Sequence, residues 1–553
     1  MKSFAIRGLE FHSQRMWEQK QVETALDLMA KLDLNTLIFH QSDLLDHVVL
    51  PDKYFPSELM WKRWPVRYHR VMNNRHYIRN IVKMAKERNI QFFAEVKEIW
   101  FDEWLIELYP QLRNPDGSLC ASDPFWWEFV EQKVREFLVA VPDVAGISVS
   151  PGTRESKVSI STNTCKCERC RAYSPLEWYC RLLDAMYRPL KETGKILAVR
   201  DFAYSAQQQS YIMKAATKVS DEIVISLKNT PHDYYPTFPN NPEIGHAGNH
   251  PQWAEFDTWG QFFGIGFFPA SVVEDMQFRM NYCHDNKVTG ITLRTDWENM
   301  TEACAFNSLN ILNVFAGGMI AANIDVDVDE IYRAWVNYGL YNPMQPASYA
   351  QSPAPVTHKE NYTKLRDFMK ASWEVIEKTI FIRGHVFHED CMFPDTLDRA
   401  FDMMTKIHGM DDWRPGASTL VAVTQENIDV IFREKQEAIE KVDSLAEILD
   451  IDSLGIACEI KAEMLDLLDL YQLYVRGFDL CSRACYLSKL ALLTASAADK
   501  AAAQEVLASL YHYAATIKAR TEMRQYPHHV FWLLDHKRVE NLADDIQGKL
   551  AEI

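Results

Sequence analysis

The chain reads as a (β/α)8 barrel followed by an all-helical region, and three observations predict this. Up to about residue 340, eight short β-rich runs alternate with helical stretches. A Pro-rich patch, Pro343 to Pro355, then breaks the pattern, and helical periodicity governs the chain from Asn361 to the end. The 553 residues are 47% hydrophobic and 24% charged. A barrel takes roughly 250 residues, so this length holds a barrel and a further core. The expected division is 1–340 for the barrel and 341–553 for the helical region.

The strands are expected at Ile6–Phe11, Thr36–His40, Gln91–Lys97, Val144–Val149, Ile196–Asp201, Glu222–Leu227, Trp253–Phe256 and Gly290–Arg294. Helices are expected between most of them, at Val22–Leu32, Ile78–Arg88, Phe125–Ala140 and Leu176–Glu192. The last has a full start signal: Ser174 as cap, Pro175 at the first position and Glu177 three residues after the cap. An open doubly wound sheet is the alternative, but no Gly-rich phosphate turn follows the first strand. Beyond the Pro-rich patch, Glu426–Leu449, Cys458–Leu493 and Asp499–Gln525 read as long amphipathic helices. Such helices suit packing on the barrel or on a second copy, so a homodimer is an expectation.

Composition limits the function classes. A net charge of −17 repels phosphate backbones and argues against nucleic acid as partner. No apolar run approaches the roughly 20 residues of a membrane span. The first residues, Met1-Lys2-Ser3-Phe4-Ala5-Ile6-Arg7-Gly8, lack the apolar core of a secretory signal. With 11 irregularly spaced cysteines, reduced thiols and a cytoplasmic location are expected. Aromatics reach 12%, with 15 tryptophans, which serves sugar stacking and large cores alike.

In a barrel of this kind, chemistry gathers where strands run into the following loops. Strand four leads to Glu155 on a Gly/Pro turn, a candidate general acid. Strands five and six end in Arg200 and Lys228, two cations whose convergence would suit a carboxylate substituent. The alternative for Arg200 is an ion pair with Asp201 or Asp233 at the rim. Asp233 is a second candidate carboxylate. Strand seven places Glu255 and Asp257 on one face by period-two alternation, flanked by Trp253 and Trp259 as candidate stacking platforms. Strand eight ends in Arg294-Thr295-Asp296-Trp297-Glu298. The first three strand ends add Glu10, His12, His40, Gln41, Lys97, Glu98 and Trp100. Glycosidases of both stereochemical types need two carboxyl groups about the scissile bond, and these strand ends supply several.

Four features resemble the catalytic barrel of glycoside hydrolase family 67, the α-glucuronidases. They are Arg200-Asp201-Phe202-Ala203-Tyr204, similar to the family's Arg-x-Phe-x-Tyr; Lys228 with Asp233 five residues later; Glu255-Phe256 leading into a Gly/Gln segment; and Thr301-Glu302-Ala303 running to Phe315-Ala316-Gly317 and Ala321-Ala322-Asn323. The clear similarity covers about Gly146 to Trp335. The resemblance implies an exo-acting, inverting enzyme that releases a uronic acid from an acidic oligosaccharide without a cofactor. It implies Glu155 as general acid, Asp233 as or beside the base, and Arg200 and Lys228 around the uronate carboxylate. Tyr204, His40, Lys97, Trp100, Asp296, Trp297 and Glu298 join Trp253 and Trp259 as expected substrate contacts. The family's second carboxylate position is Gln261 here, with Asp257 the nearest carboxylate after Glu255. The base is therefore to be sought among Asp233, Glu255 and Asp257. A barrel glycosidase for a neutral or N-acetylated sugar, and a glycan-binding barrel without catalysis, are the alternatives.

One motif stands outside this picture. Cys165-Lys166-Cys167-Glu168-Arg169-Cys170 offers three thiols, with Cys120, Cys180 or a histidine as a fourth zinc ligand. The C-x-C-x2-C spacing lacks the paired C-x2-C signature, so the expectation is a loop tied by packing, with no metal.

Overall fold

A computed structural model describes residues 2–201, 206–347 and 351–553. Eight parallel strands close into a barrel in sequence order. They are β1 (Ile6–Phe11), β2 (Thr36–His40), β3 (Gln91–Val96), β4 (Gly146–Val149), β5 (Ile196–Arg200), β6 (Val224–Lys228), β7 (Gln252–Asp257) and β8 (Gly290–Arg294). Closure is made by β8 against β1, in the register Gly8 to Thr292 and Glu10 to Arg294. The strands are buried on both faces, as parallel strands covered by helices are.

The surrounding helices are α1 (Gln19–Lys31), α2 (Pro65–Lys86), α3 (Phe125–Ala140), α4 (Pro175–Glu192), α5 (Ala206–Val219), α6 (Val273–Asp285), α7 (Ile311–Ala322) and α8 (Val328–Tyr338). Helix α4 starts with the expected capping box between Ser174 and Glu177. Two expectations are corrected. Ile78–Arg88 is the inner end of the much longer α2, whose first half is largely exposed and so lacks an apolar stripe. Thr301–Ala303 is not the start of the last barrel helix. It lies in a strand, Met300–Cys304, paired antiparallel with Asp296–Trp297, and the helix begins at Ile311. Between β6 and β7, residues 229–251 form turns without a helix.

The barrel interior is stratified. Its lower layer is apolar: Ile38, Phe93, Ala198, Val224 and Trp253 cluster there. Gly290 makes room for the Trp253 indole, since a Cβ at that glycine would lie 2.5 Å from the ring. Two residues further along the strands, on the same face, the side chains become Glu95, Arg200, Ser226 and Glu255. Period-two alternation thus sets a charged layer directly on an apolar one, about 6.6 Å higher.

The helical region comprises α9 (Tyr362–Ile380), α10 (Gln425–Leu449), α11 (Cys458–Thr494), α12 (Ala497–Thr521) and α13 (His536–Ala551), each packed on the next. It lies against the loops at the C-terminal mouth of the barrel. Phe268 stacks on Tyr471 with centroids 4.6 Å apart, and Trp297 meets Trp532 edge-on at 5.7 Å. Among the described residues, no helix is long and apolar enough to cross a membrane.

Candidate active site

A cavity of about 170 Å³ opens at the mouth of the barrel. Strand ends and the following loops supply His12, His40, Arg200, Lys228, Asp233, Tyr234, Tyr235, Gln261, Phe262, Arg294, Trp297 and Glu298. The helical region supplies Glu389, Asp390 and His408. The site is therefore composite, built from both halves of the chain.

Its floor is the charged layer. Arg200 reaches Glu255 through two hydrogen bonds, Nε to Oε2 and Nη2 to Oε1, both 2.6 Å. The same guanidinium donates to the Tyr234 hydroxyl at 2.6 Å and lies 3.4 Å from Glu95. Burial opposes ionisation of Glu255, but the Arg200 charge outweighs it and holds the carboxyl at about 2. Glu95 is likewise held at about 2 against burial by His40, 2.8 Å away, and by Arg200. Glu10 is the third carboxyl of this layer. Burial, then the charges of Glu255 and Glu95, push it well above the usual range, and it meets His12 Nε2 at 2.9 Å.

The cavity wall holds carboxyl groups in opposite states. Lys228 binds Asp233 at 2.6 Å. Burial opposes that charge, but the ammonium and the neighbouring His232 hold Asp233 well below the usual carboxylate range. Glu298 is also held low, against burial, by His12, Lys97 and Arg294. Asp390 is the opposite case. Burial, and the negative charges of Glu389 and Asp233, push it up to about 7, although Gln261 donates to its Oδ1 at 2.8 Å. Asp390 and Cys391 both have left-handed backbone, φ 51° and 59°. Trp532 donates to the Asp390 carbonyl at 3.0 Å and Tyr474 to the Cys391 carbonyl at 2.5 Å. Such over-determination maintains strained backbone at a site.

Arg294 completes the wall. It is 4% exposed, its guanidinium lies 5.6 Å from the Tyr234 ring centre, and its nearest carboxylate contact is Glu298 at 3.7 Å. Among the described residues, its Nε has no hydrogen-bond partner. A buried donor of this kind is costly unless something else binds it.

The expected site residues divide into several groups. Arg200, Lys228, Asp233, His40, Trp297 and Glu298 line the cavity, but Arg200 and Lys228 are each paired with a carboxylate of the barrel. The partner of Arg200 is Glu255, rather than Asp201 or Asp233. Glu255 lies in the floor layer. Asp257 accepts the backbone N–H groups of Trp259, Gly260 and Gln261, and so shapes the turn after β7. Asp296 accepts from the His12 and Ser13 amides and the Ser13 hydroxyl, pinning the turn after β1. Glu155 is part-exposed and paired with buried Lys97 at 2.7 Å; neither lines the cavity. Trp100 lies under Lys157, away from the cavity. Trp253 and Trp259 are corrected: both are buried core residues, the first a layer below the charged floor, the second beneath Gly266. Tyr204 falls outside the described residues.

The strand ends of the barrel do not point to Glu389, Asp390 and His408, which come from the helical region. The one available signal was His388-Glu389-Asp390-Cys391, a polar run without helical periodicity inside the helical region. In sequence Arg294 reads as one residue of a polar rim after β8, with nothing local to mark it as a contact.

Two histidine-containing clusters could suggest a metal. His232 Nε2 and His408 Nδ1 are 2.6 Å apart beside Asp233, a direct hydrogen bond. Two imidazoles on one tetrahedral zinc would stand about 3.3 Å apart. Glu10, His12 and Glu255 also converge, but each is engaged in the floor network.

No sequence family and no curated protein matches this chain. Solved structures do resemble it. A GH138 enzyme targeting pectin rhamnogalacturonan II superposes with a TM-score of 0.62 at 12% identity, over 94% of this chain and 63% of the enzyme. This chain thus spans less than two thirds of that protein's length. A mutant of the Thermobaculum terrenum O-GlcNAc hydrolase gives 0.47 at 13% identity, over 99% and 95% of the two chains. The Flavobacterium johnsoniae chitobiase gives 0.41 at 12% identity, over 97% and 78%. At these identities the first likeness establishes a shared fold. The solved neighbours are glycoside hydrolases, while the likeness to family 67 rests on the four short sequence features alone.

Proposed function

We propose that the protein is a glycoside hydrolase that releases a terminal uronic acid from a short acidic oligosaccharide. One observation carries this reading: a single cavity holds a carboxyl raised to about 7, a carboxylate kept ionised, and a buried guanidinium whose Nε is unpartnered among the described residues. Pairs of carboxyl groups pushed apart in this way mark the acid and the anion of a glycosidase.

Asp390 is the proton donor in this reading. It protonates the glycosidic oxygen as the bond to the anomeric carbon breaks, and the alcohol leaves. Asp233, fixed by Lys228, faces the positive charge developing at the sugar ring and orients the attacking water. Attack from the face opposite the leaving group inverts configuration, and the proton shed by the water returns to Asp390 through solvent. Arg294 grips the substrate carboxylate through its guanidinium, whose Nε is unpartnered among the described residues. Trp297, Phe262 and Tyr234 offer aromatic surface to the ring. The cavity volume suits one terminal sugar, in line with exo action. Gln261 stands where the family 67 resemblance places a carboxylate, and its amide holds Asp390, which returns a carboxyl group to that part of the mouth. This favours catalysis over binding alone. The GH138 neighbour's pectic target is consistent with an acidic glycan.

The pairing of Arg200 with Glu255 and of Lys228 with Asp233 favours a second reading, in which the sugar is neutral. The test is release of reducing sugar from a panel of short oligosaccharides, acidic and neutral, by wild type and Asp390→Asn. Uronic acid release that Asp390→Asn abolishes supports the proposal. Release only from neutral members selects the second reading, and full activity of Asp390→Asn removes the proton donor assigned here. Proton NMR of the first-formed anomer tests inversion.

A further inference from the structure

We propose that Cys120, Cys165, Cys167 and Cys170 form a four-thiolate zinc site that ties two loops of the barrel rim together. The C-x-C-x2-C run supplies three ligands, a number that does not close a structural site. The fold brings the fourth from 45 residues upstream of Cys165. Cys120 lies between β3 and α3, and the run lies between β4 and α4. The four sulfurs lie within 4.8 Å of one another. Cys120 Sγ is 3.4 Å from Cys170 Sγ and 3.7 Å from Cys167 Sγ. Tetrahedral zinc with bonds of about 2.3 Å sets its sulfurs about 3.8 Å apart, so an ion enters with sulfur shifts of no more than about 1 Å. Disulfide sulfurs stand at about 2.05 Å, and these are well beyond that.

The surroundings are those of a thiolate centre. Cys167 caps a short helical turn, and the Cys170 amide donates to its sulfur at 3.3 Å. Asn114 Nδ2 donates to Cys165 Sγ at 3.5 Å. Ser122 Oγ lies 3.0 Å from Cys170 Sγ. Arg169 brings a cation to 3.9 Å from Cys120 Sγ. Donors and positive charge around sulfur stabilise thiolates and the net negative charge of a four-sulfur zinc centre. Indole N–H groups hold the backbone beside it, Trp126 to the Cys120 carbonyl at 2.9 Å and Trp178 to Ala121 at 2.8 Å. With four protein ligands the site is closed, which makes it structural rather than catalytic. Its effect would be on the β4 loop, which carries Glu155 and whose Ser156 Oγ accepts from the Glu98 amide at 3.0 Å. Anchoring that loop to its neighbour fixes one side of the mouth. This inference is independent of the function proposed above.

The experiment is metal analysis of the full-length protein, purified with reductant and without chelator from zinc-supplemented cells. We expect one zinc per chain. Cobalt added to metal-free protein should give tetrahedral visible bands with intense thiolate-to-cobalt absorption. A Cys165→Ser/Cys167→Ser double variant changes the less buried ligands, and should lose more than ten-fold in zinc content. Cys458→Ser, exposed and remote, should retain full content. Limited proteolysis should cut within residues 150–173 several-fold faster in the double variant. Wild type without zinc or a tetrahedral cobalt spectrum would overturn the proposal. So would iron at this site, a mass two units low that reports a disulfide, or full zinc in the double variant. If that variant misfolds, the cobalt spectrum of wild type decides alone.

Discussion

The floor of the cavity and the loop that leans over it use the same residue type to opposite ends. Glu255 and Asp390 are both buried carboxyl groups. Glu255 faces Arg200 across two short hydrogen bonds and is held at about 2. Asp390 faces an amide and two other carboxylates and is pushed up to about 7. A charge that is locked in a buried pair gives order to the barrel, but has no proton to donate near neutrality. A carboxyl without a paired cation, whose burial outweighs the more distant Arg294 charge, holds its proton up to about pH 7 and can use it. Position at a strand end therefore does not by itself identify the acid; the neighbouring charges do.

This comparison can be broken by substitution. The largest effect is expected for Asp390→Asn, a loss of about 10²–10⁴ in kcat/KM, the range for a positioned proton donor. The wild-type rate should fall as pH rises through about 7, where Asp390 ionises, and the variant should lose that limb. Stability should change in the same direction with pH. A raised native pKa contributes stability below the ordinary carboxyl range and loses it as pH rises through about 7. At pH 8, Asp390→Asn should therefore melt no lower than wild type, as calorimetry can check. An activity unchanged by this substitution would erase the contrast drawn here.

Glu255→Gln should act on stability first. It leaves the Arg200 guanidinium buried beside a neutral amide, a cost of about 3–5 kcal/mol in denaturant unfolding. The depressed Glu255 pKa also predicts stability that is present above about pH 4.5 and lost as pH falls toward 2. In Glu255→Gln, unfolding should lose much of that acid dependence.

Arg294→Ala sharpens the assignment of the substrate carboxylate. KM for an acidic substrate should rise about 10- to 100-fold, the effect of one buried charged contact, with neutral substrates little changed. Arg294→Lys should not restore it, because an ammonium lacks the planar fork. Equal losses on acidic and neutral substrates would assign Arg294 to the rim.

The smallest effect is expected for Glu155→Gln. The residue is part-exposed and bound to Lys97 outside the cavity, so kcat should change less than about 3-fold. A loss of 10²-fold would return the proton donor to the β4 loop and reverse the comparison.

The sequence by itself determined the barrel. Eight strands, the Ser174 capping box and the three longest C-terminal helices follow from alternation, capping and amphipathic period, which are local properties of the chain. It also determined that Trp253, Glu255 and Asp257 share one face of their strand, because side chains alternate with a period of two. Tertiary structure decided what the strand ends do. Alternation does not say which acid will meet Arg200, because Glu255 comes from a strand 55 residues away. Nor does it give depth, so Trp253, two residues before Glu255 on the same face, became core instead of platform. The proton donor proposed here came from the helical region, and the fourth thiol of the cysteine cluster from a different loop. Both are encounters between distant segments, set by the closure of the barrel and the docking of the helices on its mouth. Local sequence carries periodicity; pairing, burial and the pKa values that follow exist only once the chain has closed on itself.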